Sequence, residues 1–593
     1  MRDSALALDV ARSFSGRQWH FRETDADAVR AFSMKVDVSE ILANLLLARN
    51  VNQDDAADYL NPTLRRLLSE PFLLTDMEQA VARTVHAITT GETIAVFGDY
   101  DVDGSSSAAL LHDFFAALGR APLIYIPDRL TEGYGPNVPA LLRLREQGAT
   151  LVITVDCGAT ADAALAAARA AGLDTVVLDH HAVECVSVGG GAPGLHVNPN
   201  RSDDNSGLGH LCAAGVAFLF AVALNRQLRQ SGWYARRNIA EPDLRKSLDL
   251  VGLATVCDVA PLTGINRAFV RAAEMRLSRL ERPGIRALAA VARAEPPFSL
   301  YTCGFVLGPR INAGGRVGRC SLGVELLTAR DEAAAQPLAQ QLDLHNRERQ
   351  VIEATILAEA IVHAERQGNA PFLFAHGESW HQGVVGIVAG RLKERFHKPA
   401  FVIGFEGENG RGSARSIPGI DVGAIVRSAR ETGVIRGGGG HAMAAGFELA
   451  RDETESFREW LRTQFGADSS SGTARILWID GIVAPAGATA GLVGEIERAG
   501  PFGAGNREPV LAACDVRLAF ADVVGQGHVR LRLQGGDGAA LSAIAFRAAD
   551  TPLGRGLLEA RGARIHAAGA LRAQRWNGRT EIQLQLEDAA PAA

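Results

Sequence analysis

The residues with the clearest chemical potential in this sequence are three aspartates at alternate positions. Asp99, Asp101 and Asp103 follow the apolar run TIAVFG and stand just before a glycine. In a strand this spacing points the three side chains to one face, where ionised carboxylates repel each other. A positive charge is therefore expected between them.

Other apolar segments along the chain also end in groups that bind metals. Asp156 follows LVITV, Asp258 follows LATVC, and the segment TVVLD is closed by Asp179 and followed by His180 and His181. Each of these segments is predicted as a strand. Because ligands bind beyond the carboxyl ends of the strands in an open parallel sheet, these groups are expected to meet in one crevice.

Aspartates at strand ends also have a purely structural explanation. A single one more often caps a helix or occupies a turn than binds a ligand. Four segments that deliver carboxylates and two imidazoles are different, because such a cluster is costly unless cations neutralise it. Hard oxygen ligands with one or two nitrogens suit Mn²⁺ or Mg²⁺, and two such ions about 3.5 to 4 Å apart suit hydrolysis at phosphorus.

The segments that must position these groups alternate regularly from Thr93 onwards. Amphipathic helical segments separate the apolar runs TIAVFG, PLIYIP, TLVITVD and DTVVLD. Continuous apolar strands between amphipathic helices indicate parallel strands that are covered on both faces. The predicted fold class is α/β and multi-domain, with a doubly wound parallel sheet in the main domain.

The length of 593 residues is too great for one hydrophobic core, so several domains are expected. A high density of good helix formers predicts a long connecting helix, and the Ser/Gly-rich segment 467–472 predicts a linker. Short alternating segments near the C-terminus predict a small antiparallel barrel. The predicted parts are a helical lead-in (1–75), the doubly wound domain (76–322), the connecting helix (323–366), a second α/β domain (367–466) and the barrel (474–593).

Composition limits the class of protein only loosely. The formal net charge of −6 indicates no global basic field, but local grooves can still bind nucleic acid. The seven cysteines show no CxxC spacing, which argues against a disulfide framework or a thiolate zinc site. Since no segment approaches about 18 consecutive apolar residues, no membrane partner is expected and the protein is predicted to be cytoplasmic.

The segments that carry carboxylates also form recognisable motifs. In order and spacing, DYDVDG, VDCG, DHH and CDVAPL resemble the motifs of the DHH phosphoesterase superfamily. The motifs EGYG, GPRINAGGR, WHQGVVGIVAGRL, GSARSI, GGGGHAMAAG and PFGAGN extend the resemblance over most of the chain. Together they resemble the bacterial branch of the superfamily that degrades single-stranded DNA from its 5′ end and releases 5′-mononucleotides.

The resemblance implies a two-ion site for Mn²⁺ or Mg²⁺ in which Asp156 bridges the ions. His181 would lie beside the scissile phosphate and act in catalysis with Asp103 and Asp156. Asp99 would hold one of the metal ligands in position without binding the ion itself, although a role as a turn residue explains the presence of Asp99 equally well. The implied ligands are Asp101 and Asp156 for one ion, and Asp103, Asp156, His180 and Asp258 for the other.

The resemblance also implies a strand-binding surface in both α/β domains. GPRINAGGR places guanidinium and amide groups among glycines, where they can approach phosphate oxygens closely. GSARSI and GGGGHAMAAG resemble the substrate-binding motifs of the DHHA1-type domain, although a four-glycine run by itself is more typical of a flexible loop. The residues implied to bind DNA are Arg129, Arg310, Asn312, Arg316, Ser413, Arg415, Gly438, Gly439, Gly440 and His441.

The C-terminal barrel resembles an OB-fold, a fold that binds single strands through a basic groove and stacking aromatic side chains. Each candidate aromatic residue is equally explained as part of the core. The candidates are Phe502, Phe520, Phe546 and Trp576 for stacking, and Arg530, Arg532, Arg547, Arg572 and Arg575 for charge.

Two other functions fit part of the pattern. A superfamily member that cleaves oligoribonucleotides or cyclic dinucleotides would not need the barrel, and a non-catalytic single-strand-binding scaffold would be expected to have lost metal ligands. The favoured function is a single-stranded-DNA exonuclease in recombination and repair. It is expected to be a monomer, with single-strand-binding protein and a RecQ-like helicase as implied partners.

Overall fold

The computed structural model describes residues 6–22, 24–129, 131–183, 194–466, 475–576 and 579–592, which form two compact units. The barrel unit comprises Met1–Glu70, Val259–Ala272 and Thr473–Ala593, and the two-sheet unit comprises Pro71–Asp258 and Ala273–Gly472. The predicted linker at 467–472 lies outside the described residues.

The strands form four sheets. In chain order they are β1 (Gln18–Phe21), β2 (Thr93–Gly98), β3 (Leu123–Tyr125), β4 (Ala149–Val155), β5 (Asp174–Leu178), β6 (Leu195–Val197), β7 (Leu373–Glu378), β8 (Ala400–Glu406), β9 (Asn409–Arg415), β10 (Gly437–His441), β11 (Ala444–Ala450), β12 (Ile476–Ile479), β13 (Gly481–Ile482), β14 (Leu511–Val524), β15 (His528–Gln534), β16 (Ala540–Ala545), β17 (Arg564–Trp576) and β18 (Arg579–Pro591).

The α-helices follow the same order along the chain. They are α1 (Ala26–Val36), α2 (Glu40–Leu47), α3 (Ala56–Leu60), α4 (Leu64–Leu67), α5 (Met77–Thr90), α6 (Val102–Ala117), α7 (Val138–Glu146), α8 (Asp162–Ala170), α9 (Ala213–Gln230), α10 (Trp233–Arg237), α11 (Leu248–Cys257), α12 (Gly264–Leu277), α13 (Pro283–Ala292), α14 (Gly308–Val317), α15 (Leu322–Thr328), α16 (Glu332–Arg366), α17 (Val385–Phe396), α18 (Val422–Glu431), α19 (Thr454–Phe465), α20 (Ala490–Arg498) and α21 (Pro552–Glu559).

A five-stranded parallel sheet occupies the first half of the two-sheet unit. Its strand order is β3-β2-β4-β5-β6, and every neighbouring pair is parallel. The apolar runs form β2, β4 and β5, whose residues are almost all buried, as expected for strands covered by helices. The strand order reverses between β2 and β4, so the doubly wound α/β fold class is confirmed.

The second sheet of this unit is mostly antiparallel. Its order is β10-β11-β9-β8-β7, with only the β7–β8 pair parallel. The four-glycine run is strand β10 rather than a loop. Glycine is needed there because a Cβ on Gly440 would lie 2.4 Å from the carbonyl oxygen of Ala444 in the adjacent strand.

One segment has a different secondary structure from the one that its sequence suggests. LATVC, predicted as a strand, belongs to helix α11, and Asp258 is the residue that ends it. The motif GPRINAGGR forms helix α14. Its glycines serve close helix packing, since a Cβ on Gly315 would lie 3.0 Å from the Tyr100 ring. Short apolar runs do not distinguish a buried strand from a buried helix, which explains the wrong prediction for LATVC.

The C-terminal barrel closes as an OB-fold. Its strands follow the order β14-β15-β16-β18-β17, and β17 pairs back onto β14. The pairs are antiparallel except for β16–β18, and α21 connects β16 to β17. The prediction of a small barrel is confirmed, although one of its strand pairs is parallel.

The N-terminal segment is more than a helical lead-in, because it also supplies a strand to the barrel unit. Strand β1 pairs in parallel with β12. Trp19 in β1 is fully buried, and its indole nitrogen donates to the Asp588 carboxylate at 3.0 Å. A four-residue strand is too short for its sequence pattern to stand out from the surrounding helices. Among the described helices, none is long and apolar enough to span a membrane.

A buried ion network in the two-sheet unit leads to a prediction about stability. The Arg282 guanidinium binds Asp249 at 2.7 Å and Asp113 at 2.9 Å. Replacing Arg282 by Met should lower the free energy of unfolding by about 3–5 kcal/mol, because it leaves a buried carboxylate without its partner. Urea denaturation followed by circular dichroism measures this change.

The matched control for this measurement is Arg286→Met. Arg286 pairs with Glu332 at 3.1 Å, but both side chains are exposed, so the loss should stay below about 1 kcal/mol. Equal losses in the two variants would contradict the importance of the buried network.

Candidate metal centre

The candidate metal centre begins where the parallel strands end. Asp99 follows β2 and Asp156 follows β4, the two strands between which the strand order reverses. The backbone nitrogen of Asp99 still donates to Val155, and that of Asp156 to Leu178, so the ladder holds both aspartates at the sheet edge. The topology therefore brings carboxylates from separate strands to one place.

Asp101 and Asp103 do not continue the strand, as the alternating pattern suggested. Asp101 caps helix α6, and its carboxylate accepts from the backbone nitrogens of Asp103 at 2.9 Å and Gly104 at 3.0 Å. A Cβ on Gly104 would lie 2.4 Å from the Asp99 carbonyl oxygen, so glycine is required at this sharp entry to the helix. The three aspartates converge because the chain turns from strand to helix.

Asp103 is held by the start of a second helix. Its carboxylate accepts from the backbone nitrogens of Ala213 at 2.7 Å and Ala214 at 2.8 Å, at the beginning of α9. The positive end of the helix dipole therefore stabilises its charge. Asn312 steadies the same loop, because its side-chain oxygen accepts from the backbone nitrogen of Val102 at 3.0 Å.

The histidine of the cluster closest to these carboxylates is His180. Its Nε2 lies 3.3 Å from Asp156, 3.8 Å from Asp103 and 3.9 Å from Asp258. This nitrogen and Oδ1 of Asp99 are buried and have no hydrogen-bond partner among the described residues. Three groups have ligand atoms within 4.8 Å of one another: Asp156, His180 and His181; Asp103, His180 and Asp258; and Asp99, Asp101 and Asp156.

The electrostatics of this cluster indicate missing positive charge. Burial raises the pKa of Asp99, Asp103, Asp156 and Asp258, and neighbouring carboxylates raise it further, to about 8 for Asp258. Orphaned ligand atoms beside mutually repelling carboxylates fit hard divalent cations such as Mn²⁺ or Mg²⁺. The donor set therefore fits the ions that the sequence suggested.

His181 is oriented by a buried carboxylate. Burial opposes its positive charge, but its hydrogen bond from Nδ1 to Asp179 at 2.7 Å raises the pKa of His181 to about 9. Burial also acts against the Asp179 carboxylate, yet the same bond lowers the pKa of Asp179 to about 2. The ring of His441 is stacked against that of His181, with centroids 6.2 Å apart.

The sequence interpretation missed three residues that support this centre. The amides of Asn198 and Asn200 donate to the carbonyl oxygens of His181 at 2.9 Å and His180 at 2.6 Å. The Tyr134 hydroxyl donates to the carbonyl oxygen of Asp156 at 2.9 Å. The strand-end rule could have found the asparagines, because the sequence NPN directly follows β6.

A cleft of about 560 Å³ in the two-sheet unit adjoins the centre through Tyr134, which lines it. Three arginines of the predicted DNA-binding set also line the cleft, and no carboxylate of the described residues pairs with them. Burial and neighbouring arginines lower the pKa of Arg316 to about 10. Such half-buried cations without a carboxylate partner suit an anion. The predicted residues that line the cleft are Arg129, Arg316, Ser413, Arg415, Gly438 and Gly440.

Four residues of the predicted DNA-binding set lie outside the lining of this cleft. Arg310 pairs with Asp343 at 2.9 Å and donates to the carbonyl oxygen of Val306, so its guanidinium is engaged within the protein. Asn312 is engaged with the backbone of the metal centre, and His441 stacks on His181. Gly439 in β10 has open space where a Cβ would stand.

Ionisable groups at the reversal point of a doubly wound sheet, beside a cationic cleft, define a metal-dependent phosphoesterase of the DHH class. Family models agree: the DHH family N-terminal domain matches residues 93–255, the DHHA1 domain 369–467 and the RecJ OB domain 479–588. The chain belongs to the RecJ family of single-stranded-DNA-specific exonucleases.

Relatives over almost the whole chain support this membership. The single-stranded-DNA-specific exonuclease RecJ of Dickeya dadantii is 35% identical over 92% of this chain and 95% of its own. RecJ of Escherichia coli is 34% identical over 90% of this chain and 92% of its own. The crystal structure of RecJ from Thermus thermophilus in complex with Mn²⁺ matches with a TM-score of 0.76 and 27% identity, covering 95% of this chain and 78% of that chain. The Mg²⁺ complex from the same organism matches with a TM-score of 0.72 and 26% identity, covering 96% of this chain and 77% of that chain.

Proposed function

We propose that this protein is a metal-dependent exonuclease that degrades single-stranded DNA from its 5′ end and releases 5′-mononucleotides. The observation that carries the proposal is the carboxylate and histidine cluster that opens into a cleft of unpaired arginines. A carboxylate cluster alone fits any divalent-metal site, and an arginine cleft alone fits any anion. Their juxtaposition supports hydrolysis of a phosphodiester.

The proposed ligands follow the grouping of the side chains. Asp101 and Asp156 would hold one ion, with Asp99 close enough to join them. Asp103, His180 and Asp258 would hold the other, together with Asp156, which lies 3.3 Å from Nε2 of His180. Two divalent cations bound there would lower the pKa of a water molecule and neutralise charge at the scissile phosphate. The helix caps on Asp101 and Asp103 orient these carboxylates before any ion binds.

The other proposed roles belong to side chains that hold the strand. Asp179 fixes the Nδ1 proton of His181 and thereby the orientation of its ring, which we assign to the leaving oxygen. Arg129, Arg316 and Arg415 would bind phosphate oxygens in the cleft, with Ser413 held by Arg415 at 2.7 Å. Arg310 and Asn312 would then act through the helix that they anchor.

The OB-fold offers a second strand-binding surface on β14, on β15 and directly after β16. Phe520 and Phe546 are about half exposed, and the Arg530 guanidinium lies 5.6 Å from the Phe520 ring centre. Arg532 is paired across the strands with Phe520. Exposed aromatics with flanking arginines are the parts that single-strand binding uses, so we assign these residues to the strand.

The remaining candidates in the barrel are less suited to this role. Phe502 is partly buried against the core of the barrel unit, and Arg572 pairs with Glu508 at 2.6 Å. Arg547 follows the exposed Phe546. The side chains of Arg575 and Trp576 lie outside the described part of the chain. We also propose that the protein is a cytoplasmic monomer and that its partners are single-strand-binding protein and a RecQ-like helicase. This part of the proposal rests on the family resemblance.

The test uses purified protein with Mn²⁺ and four substrates: single strands labelled at the 5′ or the 3′ end, a matched blunt duplex and an RNA dinucleotide. We expect stepwise loss of nucleotides from the 5′ end of the single strands, with the duplex resistant and an Asp103→Ala variant inactive. Cleavage of the dinucleotide alone would favour a small-substrate phosphodiesterase. Binding without cleavage would favour the non-catalytic scaffold.

A further inference from the structure

Two aromatic side chains outside the metal centre and the cleft are unusually exposed. Tyr301 is 67% exposed and Phe305 is 71% exposed. Their rings are stacked on each other, with centroids 5.1 Å apart and planes inclined by 23°. Single exposed apolar side chains are common, but a pre-stacked exposed pair is the kind of surface that binds a flat apolar partner.

The pair stands on a helix that leads to the catalytic region. A π-helical turn, Thr302–Leu307, continues into α14 without a break, because Leu307 and Gly308 both have right-handed helical backbone angles. π-Helical turns occur frequently at functional sites. Cys303, Leu307 and Ile311 form the buried side of this continuous helix.

The same helix connects the aromatic pair with residues of the site. Asn312 and Arg316 are four positions apart in α14 and therefore share one of its faces. They follow Phe305 on the same continuous helix, by seven and eleven positions. At 1.5 Å per residue they stand about 10 Å and 16 Å along the helix from Phe305. Asn312 holds the loop of Asp101 and Asp103, and Arg316 lines the cationic cleft.

The buried side of the helix contacts the same region from behind. A Cβ on Gly308 would lie 2.5 Å from the sulfur of Cys257, the residue before Asp258. The Cys257 thiol also lies 3.5 Å from the carbonyl oxygen of Cys303. The aromatic pair is therefore rigidly connected to the candidate metal centre.

We propose that Tyr301 and Phe305 form a stacking platform for the nucleobases of the strand that occupies the cleft. The cleft presents cations suited to phosphates, whereas the platform is uncharged and aromatic, which suits the flat faces of bases. Stacking does not depend on which base is present, so the platform binds strands of any sequence. This inference rests on the proposed function and adds a base-binding subsite to it.

The test compares the wild type with a Tyr301→Ala/Phe305→Ala variant. Removing a stacking partner costs about 1–3 kcal/mol per base, so affinity for an oligothymidylate should fall about 10- to 100-fold. Fluorescence anisotropy in EDTA measures binding without cleavage. With Mn²⁺ present, the loss should appear in KM rather than in kcat. The control is Val351→Ala, which removes an exposed apolar side chain from helix α16 and should change neither constant.

Three further measurements separate stacking from other roles. The wild type should bind an abasic strand more weakly than oligothymidylate, because the abasic strand has no bases to stack on the platform. The double alanine variant should show a smaller difference between the two strands, because its platform has already been removed. Trp at both positions should preserve affinity, whereas Leu at both positions should not. The slope of affinity against salt should stay the same, since no phosphate contact is removed.

Each outcome bears on the proposal. Equal affinity of the wild type and the double alanine variant for oligothymidylate would overturn it, and so would full affinity of the Leu variant, which would favour a general apolar contact over aromatic stacking. If the wild type itself neither bound nor cleaved single strands, the proposed function would fail. If the wild type cleaved single strands and the platform variants behaved in the same way as the wild type, the stacking platform would be disproved and the proposed function would stand.

Discussion

An Asp156→Asn substitution is expected to lower kcat/KM on single-stranded DNA by about 10³-fold or more. Asp156 belongs to two of the three groups that could hold an ion, so its charge would contact both cations. Loss of several kcal/mol of charge stabilisation corresponds to about three orders of magnitude in rate. Asparagine is the suitable replacement because Asp156 has a φ of 60°, a left-handed conformation that asparagine tolerates.

The same substitution should have the opposite effect on the stability of the metal-free protein. In EDTA the variant should unfold at a higher temperature than the wild type, because one of several mutually repelling buried carboxylates has been removed. Mn²⁺ should raise the unfolding temperature of the wild type, since it binds only the folded state, but should raise that of the variant far less. Differential scanning fluorimetry with EDTA or Mn²⁺ measures both effects.

Asp37→Asn is the matched control for this experiment. Asp37 also has a φ of 56°, but it lies in the barrel unit at the end of α1. This variant should keep wild-type activity and the wild-type response to Mn²⁺. Retention of more than a tenth of the activity by Asp156→Asn would exclude a bridging role for Asp156.

The second large effect is expected for Arg415→Gln, which should lower kcat/KM by about 30- to 5000-fold. Arg415 is half-buried, donates to Ser413 at 2.7 Å and to the carbonyl oxygen of Ala414 at 2.9 Å, and has no carboxylate partner in the described part of the chain. A cation that becomes desolvated against a phosphate when the strand binds contributes about 2–5 kcal/mol to binding. The loss should appear mainly as weaker strand binding.

A second measurement on this variant identifies the partner as a phosphate. The slope of log affinity against log salt should become shallower by about 0.7, the value for one phosphate contact on a single strand. The control is Arg411→Gln, because Arg411 lines the same cleft but pairs with Glu448 at 3.1 Å. We expect its affinity to change less than about threefold. Similar losses in the two variants would mean that the total charge of the cleft matters, and not the arginine that lacks a carboxylate partner.

Much of the architecture was predictable from local pattern. The apolar runs that became β2, β4 and β5 are long, continuous and separated by amphipathic segments, and such periodicity survives in almost any tertiary context. Because parallel strands end at one edge, the sequence alone predicts that the carboxylates after β2 and β4 lie together. The small barrel was predictable for the same reason, from alternating segments such as HVRLRLQ.

The prediction of secondary structure from the sequence failed where the local pattern is ambiguous. LATVC is apolar on all sides, which suits a buried strand as well as the helix α11 that it forms. The alternating aspartates suggested one strand, but Asp99 ends β2 while Asp101 caps α6. The first error arises because a short apolar run does not distinguish a buried strand from a buried helix. The second arises because the chain turns from strand to helix between Asp99 and Asp101.

The sequence by itself determined which residue types reach the centre, because motif spacing and strand periodicity are local properties. Only the tertiary structure decided which arginines lack a carboxylate partner in the protein and can therefore bind an anionic ligand. Arg310 and Arg316 stand six positions apart in one motif, yet Arg310 meets Asp343 on the long helix α16 while Arg316 lines the cleft without a carboxylate. Ion pairing depends on distances of a few ångströms between remote segments, and no pattern along the chain encodes those distances.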